Sequence, residues 1–232
     1  MVIIGLDVSI RYSSMCVSHD FKTFEFSSVV NDPRITGPSL SFLSDARYNY
    51  GGIGYKVLSA PRPLKDSAYH VKEREKTVMF DAVATSLADE ALKCVGSETD
   101  VIVAMEGISY GSKGAAFVDT VLLTGFVRSK VLTTLLGMNS TRFFVFSPSE
   151  LKNAIGAKGN ADKWVICEAF VADPVIQEVR ECGMHRMMTE KRAEENPKVY
   201  NMTAREIHSP FNDMVDAYLS VLKVYNVLSG KK

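Results

Sequence analysis

Short apolar, β-branched runs alternate along this chain with longer segments of helical spacing. Residues 2–8 form an apolar run ending at Asp7-Val8-Ser9, residues 13–18 alternate, and residues 23–30 make a third strand candidate. The turns between them, around 9–11 and 20–22, are tight, which predicts an antiparallel meander. Over 71–95, apolar residues recur at Met79, Val83, Leu87, Ala91 and Val95, the stripe of an amphipathic helix. Residues 100–105 read as a buried strand ending at Glu106, 115–136 as a long apolar helix, and 142–146 as another strand. Ser147-Pro148-Ser149-Glu150 has the N-cap, N1 proline and N3 glutamate of a capping box. A short helix is expected over about 161–171, and Ser209-Pro210 precedes an apolar helix over 211–228. The order βββ-α-β-α-β-α-α predicts an α/β fold, a meander plus parallel strands flanked by helices.

Two stretches break the pattern. Residues 31–69 are rich in Gly, Pro, Ser and Tyr and read as an insertion or long loop, with room for a short hairpin. Residues 173–208 form a second variable insertion holding Met184, Met187 and Met188. The length of 232 residues fits one domain spanning 1–232 with these two insertions.

Composition narrows the class. With 46% hydrophobic and 23% charged residues the chain is globular. No apolar run approaches the ~20 residues of a membrane span, and the N-terminus lacks the basic start of a signal peptide. The expectation is a soluble intracellular protein in a reducing compartment. Its four cysteines are scattered without a CxxC pair and read as free thiols. Cys182 and His185 have ligand-like spacing, but no second pair supports zinc. The net charge of +0 excludes coating nucleic acid by bulk charge. A mild basic excess over 31–76, eight Lys/Arg against five Asp/Glu, suits either a DNA contact or a solvated loop.

The candidate chemistry is acidic. Asp7 and Glu106 each end an apolar run, where a buried carboxylate is costly. Asp213 and Asp216 lie three apart and share a helix face. Each acid alone reads more readily as a turn residue or a helix-dipole partner. Together, from three separate elements, they form a set of oxygen ligands for Mg²⁺. Two such ions about 3.5–4 Å apart suit in-line displacement at a phosphodiester. The run SPSELKNAIGAKGNADKW carries Lys152, Lys158 and Lys163 around a glycine turn. On composition it is a solvated turn, and it lacks the GxxxxGK[ST] spacing of a phosphate-cradling loop.

In order along the chain, IIGLDVSIRYSSMCV, VIVAMEGISYG, SPSELKNAIGAKGNADKW and SPFNDMVDAYLSVL resemble motif blocks of the RuvC-type Holliday junction resolvases, in the RNase H-like superfamily. The long insertions resemble a divergent viral, phage-like or organellar branch. The resemblance implies an RNase H-like fold and a crossover junction endodeoxyribonuclease acting as a homodimer on four-way DNA junctions. It implies Asp7, Glu106, Asp213 and Asp216 as ligands of two Mg²⁺ or Mn²⁺ ions. It implies Lys163 near the scissile phosphate, with Lys152 on a nearby phosphate or orienting an acid. Lys152, Lys158, Lys163, Tyr110 and Lys113 are then the expected DNA contacts. Ser109, with Tyr110 beside it, stands where the family places an aromatic wedge. Three other readings stay open: a nuclease for flapped or otherwise branched DNA, a catalytically silent binding module, and an actin-like ATPase suggested by GLDVS. The ATPase lacks a second glycine-rich hairpin here.

Overall fold

Six strands form one mixed sheet in the computed structural model, in the order β4 (Ile53–Val57), β3 (Thr23–Val30), β2 (Tyr12–His19), β1 (Val2–Asp7), β5 (Val101–Glu106) and β6 (Phe143–Phe146). The structure describes residues 1–31, 52–58, 66–108, 114–179, 182–190, 200–201, 206–207 and 209–231. The expected meander is present: β1 (Val2–Asp7), β2 (Tyr12–His19) and β3 (Thr23–Val30) pair antiparallel in sequence. β5 (Val101–Glu106) and β6 (Phe143–Phe146) add parallel strands beside β1. This is the expected fold class.

Strand periodicity divides the core into two layers. Val2, Ile4 and Leu6 point to one face, where they pack with α1 (Tyr69–Val95) and α2 (Ala115–Thr134). The stripe residues Met79, Val83, Leu87, Ala91 and Val95 are all buried there. Ile3, Ile102 and Ala104 face the other way, toward α4 (Lys163–Ala172) and α7 (Phe211–Leu228). Between these layers' elements, α3 (Pro148–Ala154) follows β6 with both halves of its capping box formed.

Both stretches read as insertions carry ordered elements where the structure describes them. Within 31–69, residues Ile53–Val57 form β4, which pairs parallel with β3; most of the rest of the stretch, where a short hairpin was expected, lies outside the described residues. Burial of Ile53 beside Phe26 secures that edge. Within 173–208, α5 (Pro174–Glu178), α6 (Gly183–Glu190) and the pair β7 (Tyr200–Asn201) and β8 (Glu206–Ile207) are ordered elements. Cys182, Met184, Met187 and Met188 are buried in the α7-side core, so this stretch supplies apolar volume as well as surface. All four cysteines are free thiols. Among the described residues, no helix is long and apolar enough to cross a membrane.

Candidate active site

Asp7 and Glu106 end neighbouring parallel strands whose register pairs Leu6 with Met105. Alternation along β1 puts Asp7 on the face of Ile3, and alternation along β5 puts Glu106 on the face of Ile102 and Ala104. Both acids therefore lie at the C-terminal ends of neighbouring strands, on the side covered by α7. The third and fourth acids come from that helix. α7 packs across β1, β2 and β5, and its close approach depends on Gly5. A Cβ at Gly5 would overlap the carbonyl oxygen of Ala217 and would lie 2.9 Å from Val221 Cγ2. With no side chain there, α7 settles onto β1, and Asp213 and Asp216 descend toward Asp7. Carboxylate oxygens of Asp7, Asp213 and Asp216 lie within 4.8 Å of one another.

The lysines arrive from the run that sequence alone left as a solvated turn. Gly156 takes a φ of +75°, a conformation costly for a residue with a side chain. Lys152 Nζ donates to the Ala161 carbonyl at 2.7 Å, which ties α3 to the start of α4. Asp162 caps α4 by accepting from the Val165 N–H at 2.9 Å. Lys163 is thereby placed in the first turn, and its Nζ lies 2.8 Å from Asp213 Oδ1 and 3.5 Å from Asp216 Oδ2. Lys158 is exposed on the turn. Tyr110 and Lys113, like Ser109, lie outside the described residues.

The electrostatics follow from this crowding. Burial pushes the Asp7 carboxyl well above its ordinary range, and the charges of Asp213, Asp216 and Glu106 add to the effect. Burial and Asp216 push Glu106 up to about 7, with Lys152 and Lys163 opposing. Asp216 is raised by burial against the pull of Lys163. Burial works against the Lys163 charge, but Asp213 and Asp216 outweigh it and hold the ammonium above its usual range. One ammonium does not neutralise this group of carboxylates. An oxygen-only donor set with surplus negative charge suits a hard divalent cation such as Mg²⁺ or Mn²⁺. Asp7, Asp213 and Asp216 could hold one directly. Glu106 stands on the adjoining strand end, outside the group of three whose ligand atoms lie within 4.8 Å.

Two contributors escaped the sequence reading. Gly5 carried a signal, since a glycine inside an apolar strand marks close backbone approach. The other is Asp173, whose Oδ2 accepts from the buried Tyr218 hydroxyl at 3.2 Å. Nothing in the sequence joins residues so far apart. Among the described residues, Cys182 and His185 belong to no group of three or more metal-ligating side chains; Cys182 is buried, and His185 Nε2 lies 3.2 Å from the Val171 carbonyl oxygen.

No protein-family model matches the chain, and no curated protein matches it. Among solved structures, the chain is similar to the Thermus thermophilus RuvC structure, at 12% identity and a TM-score of 0.46, over 100% of this chain and 98% of that one. It is similar also to T. thermophilus RuvC in complex with Holliday junction substrate, at 13% identity and a TM-score of 0.43, over 99% of this chain and 97% of that one.

Proposed function

We propose that the chain is a divalent-cation-dependent endonuclease that hydrolyses phosphodiester bonds in branched DNA, with the four-way junction as substrate. The observation that carries this reading is the convergence of Asp7, Asp213 and Asp216 within 4.8 Å, with Lys163 paired to two of them. The order of the four motif blocks along the chain supports it, as does the salt bridge of Lys163 to Asp213 and Asp216. The proposal keeps Asp7, Glu106, Asp213 and Asp216 as ligands of two Mg²⁺ or Mn²⁺ ions. When bound, these ions would activate the attacking water and stabilise the leaving oxygen.

The chain's own residues do the rest. Glu106, raised to about 7 by burial and Asp216, would give up its proton on binding a cation. Lys163 is a point charge suited to a phosphate once a cation relieves it of the acids. Lys152 braces the turn from which Lys163 projects, and exposed Lys158 is a docking charge beside it. Tyr110 and Lys113 are proposed DNA contacts. A homodimer would place two such sites on opposed strands, giving paired incision.

A synthetic four-way junction with mapped incision sites tests this reading. Cleavage in Mg²⁺ should vanish in EDTA. Asp7→Asn should abolish it while leaving junction binding measurable in Ca²⁺, and retained cleavage would remove Asp7 from the mechanism. Equal cutting of flap and three-way substrates would widen the substrate to branched DNA in general. Binding without cleavage of any branched DNA would make the chain a binding module.

A further inference from the structure

Helix α4 is attached to the acid-bearing helix α7 at both of its ends. At its start, Lys163 Nζ reaches Asp213 and Asp216 at 2.8 and 3.5 Å. At its far end, the C-cap residue Asp173 accepts from the Tyr218 hydroxyl at 3.2 Å. Asp173 is held in turn, because its Oδ1 caps α5 by accepting from the Val175 N–H at 2.8 Å. Tyr218 is fully buried, two residues beyond Asp216. Its ring meets Phe170 of α4 edge-on at 5.1 Å and Phe24 of β3 at 5.6 Å.

Between these attachments, α4 faces α7 through apolar or weakly polar groups such as Cys167 and Phe170. Apolar burial is non-directional, and a small slide of α4 along α7 changes it little. A hydrogen bond depends steeply on distance and angle, so it sets the register that apolar contact leaves loose. The sheet side of α7 is fixed separately by the backbone contact at Gly5. Lys152 ties the start of α4 to α3, and what is left to the polar contacts is the fine register of α4 on α7, and with it the Lys163 ammonium.

We infer that the Tyr218–Asp173 hydrogen bond is a positioning device that sets α4 on α7 and so holds Lys163 over Asp213 and Asp216. Tyr218 and Asp173 are positioning residues, acting through Lys163. The inference rests on the reading of the acids as a divalent-cation site. It has a consequence that general loosening of the fold does not share. Lys163 and a divalent cation compete for the same carboxylate oxygens. Releasing Lys163 tightens cation binding, although it harms any step in which Lys163 meets a phosphate.

The test is Mn²⁺ titration of the full chain without DNA, with free ion read by electron paramagnetic resonance. Tyr218→Phe keeps the ring and removes only the hydroxyl. It should tighten Mn²⁺ binding about threefold, and Lys163→Ala should tighten it about tenfold, within the range of coupling between contacting residues. In the Lys163→Ala background, Tyr218→Phe should add nothing. Asp173→Ser, which keeps a cap for α5 but is too short to reach Tyr218, should repeat the Tyr218→Phe result. Val83→Ala, a core truncation on the opposite face of the sheet, should lower the thermal midpoint and leave Mn²⁺ affinity unchanged. Weaker or unaltered binding in both Tyr218→Phe and Asp173→Ser overturns the inference. So does an equal effect with and without Lys163, or an effect matched by Val83→Ala. Wild-type chain that binds no Mn²⁺ overturns the reading of the acids themselves, and this inference with it.

Discussion

Gly5→Ala is the most informative substitution for the geometry of this site. The added Cβ would overlap the Ala217 carbonyl oxygen and lie 2.9 Å from Val221 Cγ2 and 3.1 Å from the Ala217 carbonyl carbon. Ordinary carbon contacts sit at about 3.5–4.0 Å, so α7 must move by on the order of 1 Å. Overpacking of a well-filled core costs about 1–3 kcal/mol. The upper end applies, because the main obstacle is backbone and no rotamer change relieves it. At 232 residues, a loss of about 3 kcal/mol lowers Tm by roughly 6–12 °C. The same displacement carries Asp213 and Asp216 away from Asp7. A misplacement of about 1 Å in a catalytic group costs on the order of 100-fold in rate. Calorimetry reads the first effect, and junction cleavage with Mn²⁺ titration reads the second. Adding Val221→Ala removes the side-chain contact but leaves the carbonyl in place, so it should rescue little. A Gly5→Ala chain with Tm within about 2 °C of wild type and unchanged Mn²⁺ affinity would refute the seating of α7 on β1.

Other consequences are equally direct. Lys163→Ala should slow junction cleavage more than it weakens junction binding; a loss confined to affinity, with the salt slope reduced by about one phosphate contact, would make Lys163 a docking residue only. Glu106 is raised from 4.5 to about 7, so its share of stability is fully present below the unfolded value and is lost as pH rises through 7. The unfolding free energy in EDTA should therefore fall more for wild type than for Glu106→Gln between pH 5 and 7.5, by about 2 kcal/mol, and parallel profiles would contradict the shift. Ser147→Ala removes the α3 capping box and should cost about 1 kcal/mol, seen as a small drop in Tm.

Much of the scaffold was legible because it rests on local periodicity. The bounds Thr23–Val30 and Phe211–Leu228 agree with the expected 23–30 and 211–228, since alternation marks the strand and the proline before an apolar run marks the helix start, although no side chain caps that helix. The capping box at Ser147 was visible outright for the same reason. β4 was not legible, because its parallel partner β3 lies across a long connection and parallel pairing leaves no turn signal. Met184, Met187 and Met188 do stand at i, i+3 and i+4, the spacing of a helical stripe, but the stripe is only one turn long and is flanked by charged residues, so it reads as surface until the tertiary structure buries it.

Local pattern already marks the acids that stand at element ends: Asp7 and Glu106 after apolar runs, Asp213 and Asp216 one helical turn apart. Their chemical type and spacing are local properties. Only tertiary structure decided that Asp7, Asp213 and Asp216 meet, because the meeting depends on the missing side chain of Gly5 beneath Ala217. Only tertiary structure turned Lys163 from a residue of a polar turn into the partner of two carboxylates, and tied the far end of its helix to Tyr218. Periodicity records which face a residue occupies. Distances between faces come from how closely the helices and the sheet can pack.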